Sequence, residues 1–563
     1  MELSDLVKSL LKKRGIESEE QMAAFLAPDY VAHLHAPQLL FGMDTAVERI
    51  ISAMEAGERI AVYADFDCDG IPGAAVLSDL FAKIGYDNVE VYLPHRDREG
   101  YGFHTDAIAQ LAARGVKLII TVDVGTTALE AVAFAREKDV DVIVTDHHEI
   151  TGELPAAVAV INPKIVPPAS SGVERYPFPH LCGAAVAFKL AHALIAGGKS
   201  RGIERFMSVS DGWEKWLLDL VAIATVADMV ALTGENRALV HWGLQVLRKS
   251  PRPGILALCN KLRLRRSELT EDDIGFSIAP RINAASRMDE PDLAFRLLTT
   301  KDAQEAEMLA AKLEQLNASR KGVVGSIVRE ARKRAGERYP DSAKVLVLGD
   351  PDWKPALLGL AANSIMNERG GMVCLWGRDA LGRIKGSCRS DGEFSFVDVF
   401  AAAEGAVDEY GGHAASGGFS VSHERIHALP EALQKAADAL GQAERVVEER
   451  GHDALVTLRE IAWPLYRDIA RLAPFGIGNP KPVFRLTNAT VSKVKRFGKE
   501  QNHVEIALVS EDSSFARAFD FFRAPEDFTH APVPNMPAII LATVERDSFR
   551  GGLALRLIDV LPG

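Results

Sequence analysis

Three aspartates stand at alternate positions in "DFDCDG", where Asp65, Asp67 and Asp69 follow the apolar run "IAVYA" and precede Gly70. Like charges this close repel, so ionising all three at pH 7 is costly unless something positive lies among them. The arrangement recurs along the chain. "LIITV" runs into Asp123 in "TVDVG", and "VIVT" runs into Asp146, followed by His147 and His148. Asp228 closes a further apolar run, "LVAIATVADMV". Taken singly, each feature has a bland explanation, since an Asp after a strand is a common helix N-cap and paired histidines are ordinary in polar loops. Taken together, at least four acids and a histidine converging on one place need a partner. Divalent cations provide one, because Mn²⁺ and Mg²⁺ suit carboxylate ligands and Mn²⁺ also accepts imidazole. Carboxylate-rich sites that hold two such ions about 3.5–4 Å apart handle phosphoryl transfer.

Convergence requires a scaffold. From Ile60 to Val160 the apolar runs "IAVYA", "VEVYL", "VKLIITV", "VDVIVT" and "AVAVI" alternate with helix-like pieces such as "GAAVLSDLFAKIG" and "TALEAVAFAREK". Unbroken apolar strands separated by helices predict a parallel sheet buried on both faces. Ligands bind such sheets at the carboxyl ends of their strands, which is where the acids fall. Strand alternation predicts Asp65 and Asp67 on one face, with Asp69 joining them if the strand runs on to Gly70.

Residues 181–264 read as mainly helical, and 303–336 as one long helix or two connecting α/β patterns. A second α/β unit begins at "KVLVLGD" (344–350) and continues to about 445. After "APFGIGNPKPVF" (473–484), short strand-like segments separated by turn residues predict a small β-barrel.

The chain has 563 residues, 47% hydrophobic and 25% charged, which fits a soluble protein of three or four domains. Its net charge of -12 argues against a generic nucleic-acid-coating protein and leaves room for a local basic groove. "KLRLRR" (261–266) reads equally well as a solvated face or a DNA contact. "KVKRFGK" (493–499) gains weight from its place in the expected barrel, where Phe497, Phe521 and Phe522 are candidates to stack bases or to pack in the core. The five scattered cysteines read as reduced thiols of a cytosolic protein. The charged N-terminus is no signal peptide, and no run of about 18 apolar residues could span a membrane.

The motifs "DFDCDG", "TVDVG", "TDHHE" and "TVADMV", in that order, resemble those of the DHH phosphoesterase superfamily. Along nearly its whole length the chain is similar to the RecJ family of bacterial single-strand exonucleases. The stretches that carry this are "LLKKRGIESEEQMAAFLAP", "YLPHRDREGYGFH", "YPFPHLCGAAVAFKL", "PRINAASRM", "GGHAASGGFS" and "PFGIGNPKPVF". The resemblance implies a multidomain α/β chain. An N-terminal helical segment (1–45) would precede a parallel-sheet DHH catalytic domain (46–302) and a connecting helix (303–336). A smaller α/β DHHA1 domain (337–450) and an OB-like β-barrel (451–563) would follow.

It also implies two metal ions, Mn²⁺ or Mg²⁺, held by Asp65, Asp67, Asp123, His147 and Asp228, with Asp123 bridging. His148 would face the scissile phosphate and Asp146 would support the site. Asp69 would be an outer support, holding Gly70 and the helix that follows it. His95, Arg96 and His104 would line the nucleotide path. Arg281 and Arg287 would meet the DNA backbone, as would Arg98, and Arg389, Gly411, Gly412 and His413 would grip the substrate. The implied activity is 5′-to-3′ digestion of single-stranded DNA to 5′-mononucleotides in recombination and repair, with duplex excluded by a narrow passage between the two α/β units. The implied setting is a cytoplasmic monomer working with a single-stranded-DNA-binding protein and a RecQ-like helicase.

Four positions depart from the family pattern: Ala64 and Ser286 stand where glycine is usual, and Lys354 and Ala356 occupy "DWKPALLG" in place of "WHxGVIG". None removes an expected metal ligand. Competing readings are a DHH-type nanoRNase or oligonucleotide phosphodiesterase, which lacks the barrel, and a DHH-type pyrophosphatase, which lacks the glycine-rich segment. A non-catalytic scaffold or single-strand binder would tolerate loss of the acids.

Overall fold

The five apolar runs form the first sheet: β1 (Arg59–Ala64), β2 (Val89–Tyr92), β3 (Val116–Val122), β4 (Asp141–Thr145) and β5 (Ala159–Ile161). The structure is a computed structural model that describes residues 3–340, 342–441, 451–498, 501–547 and 550–563. All pairings in this sheet are parallel, in the order β2-β1-β3-β4-β5. Both faces are buried: Ala61, Tyr63, Ile119, Val142 and Val144 meet Ile108, Leu111, Val132 and Ala135 on one side, while Ile60, Val62, Ile120 and Ile143 are fully buried as well. Strand order reverses between β1 and β3. That crevice at the carboxyl ends is where open α/β sheets bind ligands.

Asp228 comes from a helix rather than a strand. "LVAIATVA" lies within the helix Leu218–Ala227, and Asp228 follows its last turn. This helix and the helix Gly70–Lys83, which follows the "DFDCDG" loop, are tied together by Arg252. The Arg252 Nε donates to Asp219 at 2.8 Å, one of its terminal nitrogens donates to Asp79, and Ser250 Oγ donates to the same Asp219 oxygen at 2.7 Å.

A single helix, Ala303–Arg338, covers the connector segment. Its first half packs on the helices Pro253–Leu262 and Ala279–Arg287. Its second half, through Ile327, Val328, Ala331 and Ala335, joins the core of the second sheet with Leu346, Leu348 and Leu357. That sheet comprises β6 (Val345–Gly349), β7 (Met372–Arg378), β8 (Ile384–Ser390), β9 (Glu409–His413) and β10 (Ser416–Val421). The order is β6-β7-β8-β10-β9, and only β6 and β7 run parallel. Both sheets belong to one compact unit, residues 35–230 and 242–446. The limit expected near 445–450 lies outside the described residues.

Residues 1–34, 231–241 and 447–563 form the other unit. Here β12 (Phe484–Phe497), β13 (His503–Val509), β14 (Phe515–Asp520), β15 (Met536–Arg546) and β16 (Leu553–Pro562) follow a short β11 (Ala454–Leu455). The order β12-β13-β14-β16-β15 closes through antiparallel β12–β15 pairing, with β14 and β16 parallel. This is the Greek-key barrel of the OB fold. Burial alternates along β13, so Val504, Ile506 and Leu508 point into a core with Phe484, Ile540 and Leu555. The helices Asp5–Lys13 and Glu19–Leu26 contribute Val7, Leu10, Leu11 and Met22 to a cluster with Leu472. Arg237 donates to the carbonyls of Phe25, Ala473 and Pro474. Chain order alone does not reveal that residues 1–34 and 231–241 group with the barrel. No helix among the described residues is long and apolar enough to cross a membrane.

Removing Arg252 leaves buried Asp219 without its cation, which costs about 3–5 kcal/mol. Arg252→Met is expected to lower the first urea-unfolding transition of the full chain by that amount; a change below about 1 kcal/mol would show that the network does not hold these helices.

Candidate metal centre and nucleic-acid path

β1 ends at Ala64, so Asp65–Asp69 is a loop. The expected alternation therefore does not carry through to Asp69, and the loop's own hydrogen bonds set the acids' positions. Asp67 Oδ1 accepts from the backbone N–H groups of Asp69 (2.8 Å) and Gly70 (3.2 Å), so Asp67 caps the following helix. Asp69 does not perform that task. Its two oxygens accept from the N–H groups of Gly183 (2.6 Å) and Ala184 (2.7 Å), the start of the helix Gly183–Ser200. A carboxylate gains from a helix N-terminus whichever helix supplies it. Asn283, in the "PRINAAS" stretch, accepts from Cys68 N–H at 3.0 Å and so fastens the loop from the other side.

Asp123 follows β3 in the left-handed region, with φ 63°. Asp tolerates this conformation better than most residues. Gly183 makes room for it: a Cβ there would lie 2.6 Å from Asp123 Cβ and 2.7 Å from its Oδ1. His147 Nε2 stands 3.2 Å from Asp123 Oδ1, 3.7 Å from Asp69 Oδ2 and 3.7 Å from Asp228 Oδ2. Ligand atoms fall into three groups, each within 4.8 Å: Asp65, Asp67 and Asp123; Asp123, His147 and His148; and Asp69, His147 and Asp228. All five expected metal ligands are thus brought together.

The electrostatics say that the cluster is short of positive charge. Burial, then repulsion from Asp67, pushes Asp65 well above the usual carboxylate range. Burial, then Asp69, Asp67 and Asp65, does the same to Asp123. Burial, then Asp69 and Asp67, pushes Asp228 up to about 9. Burial lowers His147, outweighing the pull of Asp69. The buried Oδ1 atoms of Asp65 and Asp123 accept no hydrogen bond among the described residues. An all-carboxylate and imidazole donor set with orphaned oxygens fits hard divalent cations.

Asp146 is differently placed. Its Oδ1 accepts from the N–H of His147 (2.7 Å) and lies 2.7 Å from His148 Nδ1, and its Oδ2 accepts from Thr126 N–H at 2.8 Å. Burial would raise it, but these partners hold it below the ordinary range. Burial likewise works against protonated His148, yet its bond to Asp146 prevails and raises its pKa. Asn162 completes the support, donating to Thr126 Oγ1 (3.0 Å) and to the His148 carbonyl (2.9 Å). Asn162 and Tyr101, whose hydroxyl lies 3.2 Å from His148 Nδ1, escaped the sequence reading.

Cations gather beside the acids. Arg96 lies over the Phe66 ring, 4.9 Å from its centroid, and burial lowers its pKa against the pull of Asp65 and Asp67. Arg287 donates to the Ala356 carbonyl at 2.8 Å, linking the first sheet's helices to the second sheet's. Burial, then the neighbouring Arg96 and Arg320, pushes Arg287 down to about 9, with Arg389 adding to the effect. Arg389, on β8, donates to its neighbour's carbonyl at 2.7 Å and packs on Gly359, where a Cβ would lie 2.6 Å from Nη2. Lys354 lies 3.6 Å from Asp289 at the same seam.

The remaining expected residues lie elsewhere. Arg281 is bound to Glu314 (2.8 Å) and the Ser277 carbonyl (3.0 Å). His95 N–H donates to Glu99, and His104 Nε2 lies 3.2 Å from the Gly100 carbonyl, both within the loop after β2. Gly411, Gly412 and His413 form the exposed edge strand β9. At Gly412 a Cβ would lie 2.4 Å from the Ser416 carbonyl, so the close β9–β10 hairpin accounts for that glycine. In "KLRLRR", Arg266 donates to the Ser250 carbonyl and Arg265 pairs with Glu268 at 3.8 Å. On the barrel, Lys493, Lys495 and Arg496 lie on β12, Arg496 pairs with Glu526, and Lys499 lies outside the described residues. Phe497, His503, Phe521 and Phe522 form a ring cluster with centroids 4.8–5.9 Å apart, and Phe522 is 81% exposed.

Comparison with known proteins agrees with this anatomy. The profile of the DHH family, N-terminal domain, matches residues 59–225, that of the DHHA1 domain residues 342–442, and that of the RecJ OB domain residues 452–558. The single-stranded-DNA-specific exonuclease RecJ of Haemophilus influenzae is 30% identical over 93% of this chain and 90% of its own length. Its counterpart in Bacillus subtilis is 33% identical over 91% of this chain, which spans 62% of that relative's length. The crystal structure of Thermus thermophilus RecJ in complex with Mn²⁺ superposes with a TM-score of 0.79 at 28% identity, covering 100% of this chain and 77% of that one. With three domain types in this order and identity sustained over nine-tenths of a relative's length, the chain belongs to the RecJ family of single-stranded-DNA-specific exonucleases.

Proposed function

We propose that this chain is a metal-dependent, single-strand-specific exodeoxyribonuclease that hydrolyses phosphodiester bonds from the 5′ end and releases 5′-mononucleotides. The observation that carries the reading is the cluster of Asp65, Asp67, Asp123, His147 and Asp228, whose buried acids repel one another and whose Asp65 and Asp123 keep oxygens free. Asp65, Asp67 and Asp123 would hold one Mn²⁺ or Mg²⁺, and His147 and Asp228 the other, with Asp123 between them. Bound there, such cations would lower the pKa of water toward neutrality and offset charge on the phosphate.

The chain's own residues do the rest. Asp146 holds the His148 imidazole by Nδ1, leaving Nε2 to donate to a phosphate oxygen as charge develops. Arg96, Arg287 and Arg389 lack a carboxylate partner among the hydrogen bonds and ion pairs of the described residues, and they depress or fail to relieve one another, so an anion is the partner this region accepts. These guanidiniums would fix the backbone of the strand, with His95, His104 and His413 along its path. Lys354, in place of the family's histidine, would serve as a point charge. Asp69 would act through the helix it caps, not as a ligand. The exposed rings Phe521 and Phe522 give the barrel a face on which bases can stack. The setting would be a cytoplasmic monomer in recombination and repair, with a single-stranded-DNA-binding protein and a RecQ-like helicase as partners.

With 5′- or 3′-labelled single strands and matched duplex, Mn²⁺ or Mg²⁺ should release mononucleotides from the 5′ end of the single strand only, and EDTA should stop it. Asp123→Ala should lower the rate by about 10³-fold or more, the loss of several kcal/mol of charge stabilisation. Cleavage confined to dinucleotides would favour the nanoRNase reading, and equal strand binding by both proteins without any cleavage would favour a scaffold.

Metal uptake should also release protons. Burial, then Asp69 and Asp67, pushes Asp228 up to about 9 in the folded chain, far above the ordinary carboxylate value of about 3.9, so between these values the metal-free fold holds a proton that the unfolded chain lacks. Its stability therefore falls as pH rises through that window. Mn²⁺ needs the carboxylate and should stabilise the fold increasingly from pH 6 to 9. Calorimetric binding heats at pH 7 should vary with the buffer's ionisation enthalpy; heats independent of buffer would count against the raised carboxyls.

A further inference from the structure

Tyr101 lies in the loop between β2 and the helix Thr105–Ala113, and its hydroxyl stands at the junction of two site residues. It is 3.2 Å from His148 Nδ1, 3.5 Å from His148 Nε2 and 3.4 Å from the Asp123 carbonyl oxygen. The rings of Tyr101 and His148 meet at 5.4 Å with an interplanar angle of 54°. His148 therefore has two polar neighbours within reach of Nδ1, Asp146 Oδ1 at 2.7 Å and this hydroxyl at 3.2 Å.

The support behind Tyr101 is rigid. The next residue, Gly102, offers its carbonyl to the hydroxyl of fully buried Tyr63 on β1 at 2.8 Å. Two residues earlier, Glu99 accepts from Tyr92 Oη at 2.7 Å and from His95 N–H at 2.7 Å. The loop that carries the phenol is thus tied to β1, which leads into Asp65, and to its neighbour β2. A side chain held in this way can orient a neighbour without reorganising during reaction.

We propose that Tyr101 is a positioning residue for the hydrolysis: bridging the His148 imidazole and the Asp123 carbonyl, its hydroxyl limits rotation of the imidazole and keeps His148 Nε2 directed at the phosphate. This rests on the nuclease reading above. Asp146 fixes one ring nitrogen and leaves the ring free to pivot about that bond. The Tyr101 hydroxyl, 3.2 Å from that same nitrogen and 3.5 Å from Nε2, packs against the ring and restricts the pivot. The alternative role for an exposed tyrosine is stacking on a base, which needs the ring and not the hydroxyl.

Tyr101→Phe separates the two. Removing one neutral hydrogen-bonding group should lower kcat on a 5′-phosphorylated single strand about ten-fold and leave KM nearly unchanged. Mn²⁺ affinity, measured by the free-Mn²⁺ electron paramagnetic resonance signal, should not change. Under single-turnover conditions with excess enzyme, adding Tyr101→Phe to His148→Ala should have no further effect, because the residue acts through His148. Four outcomes would overturn the proposal: full activity in Tyr101→Phe with a KM rise in Tyr101→Ala; weaker Mn²⁺ binding in Tyr101→Phe; an equal ten-fold fall in the His148→Ala background; or a rise in KM alone. A wild-type chain with no metal-dependent cleavage of single strands would overturn the nuclease reading, and this inference with it.

Discussion

Mutual repulsion of buried carboxylates governs this structure. Asp65, Asp69, Asp123 and Asp146 are all nearly inaccessible at one end of one sheet. Carboxylates in a low-dielectric setting either lose their charge or find compensation. The chain compensates some of them by itself. Asp69 has two helix N–H groups, and Asp146 has three backbone N–H groups and an imidazole. These are the acids that hold other groups in place. Asp65 and Asp123 are left with orphaned oxygens. Backbone N–H groups and the imidazole outweigh burial at Asp146, while at Asp69 they offset it only in part and burial still holds the carboxyl above the ordinary range; the orphaned oxygens of Asp65 and Asp123 are the ones open to a cation from solution.

The same logic with opposite sign operates across the seam between the two sheets. Burial lowers Arg96, Arg287 and Arg389 alike, and Arg96 adds to the depression of the other two. A region of uncompensated anions beside one of buried cations suits the proposed metal-bound phosphodiester, in which metal ions would meet the acids and the arginines would meet phosphate oxygens. Net charge of -12 is no obstacle, because the field that matters is local and the site is partly shielded from solvent.

The sequence made the sheet legible because β1 to β5 are buried on both faces and therefore read as unbroken apolar runs. The acids after β1, β3 and β4 were legible because each directly follows such a run. What resisted reading was the pairing between distant residues. Asp69 caps a helix 114 positions later, not the one beside it, and local sequence favours the adjacent cap. Arg281 stands in a family motif, yet it is held by Glu314, 33 positions away. Gly412 looked like a glycine for a phosphate, but a tight hairpin requires it whatever binds. Alternation was extended past Ala64 because spacing cannot reveal where strand pairing stops. Tyr101 carries no spacing signal: a lone tyrosine in a glycine-flanked loop becomes informative only once His148 is seen beside it.

The left-handed backbone of Asp123 joins these threads. A residue at φ 63° after a strand turns its carbonyl and side chain in directions an extended residue cannot. Here the carbonyl faces the Tyr101 hydroxyl and the carboxylate faces His147. The turn is possible only because Gly183 leaves no Cβ in its way. Gly183 is also the residue whose N–H compensates Asp69. One helix N-terminus therefore makes room for Asp123, whose Oδ1 has no hydrogen bond among the described residues, and supplies hydrogen bonds to Asp69. Moving that helix would disturb both at once. The close packing of Gly183–Ser200, most of whose residues are buried, is accordingly a requirement of the proposed metal site as much as of the core.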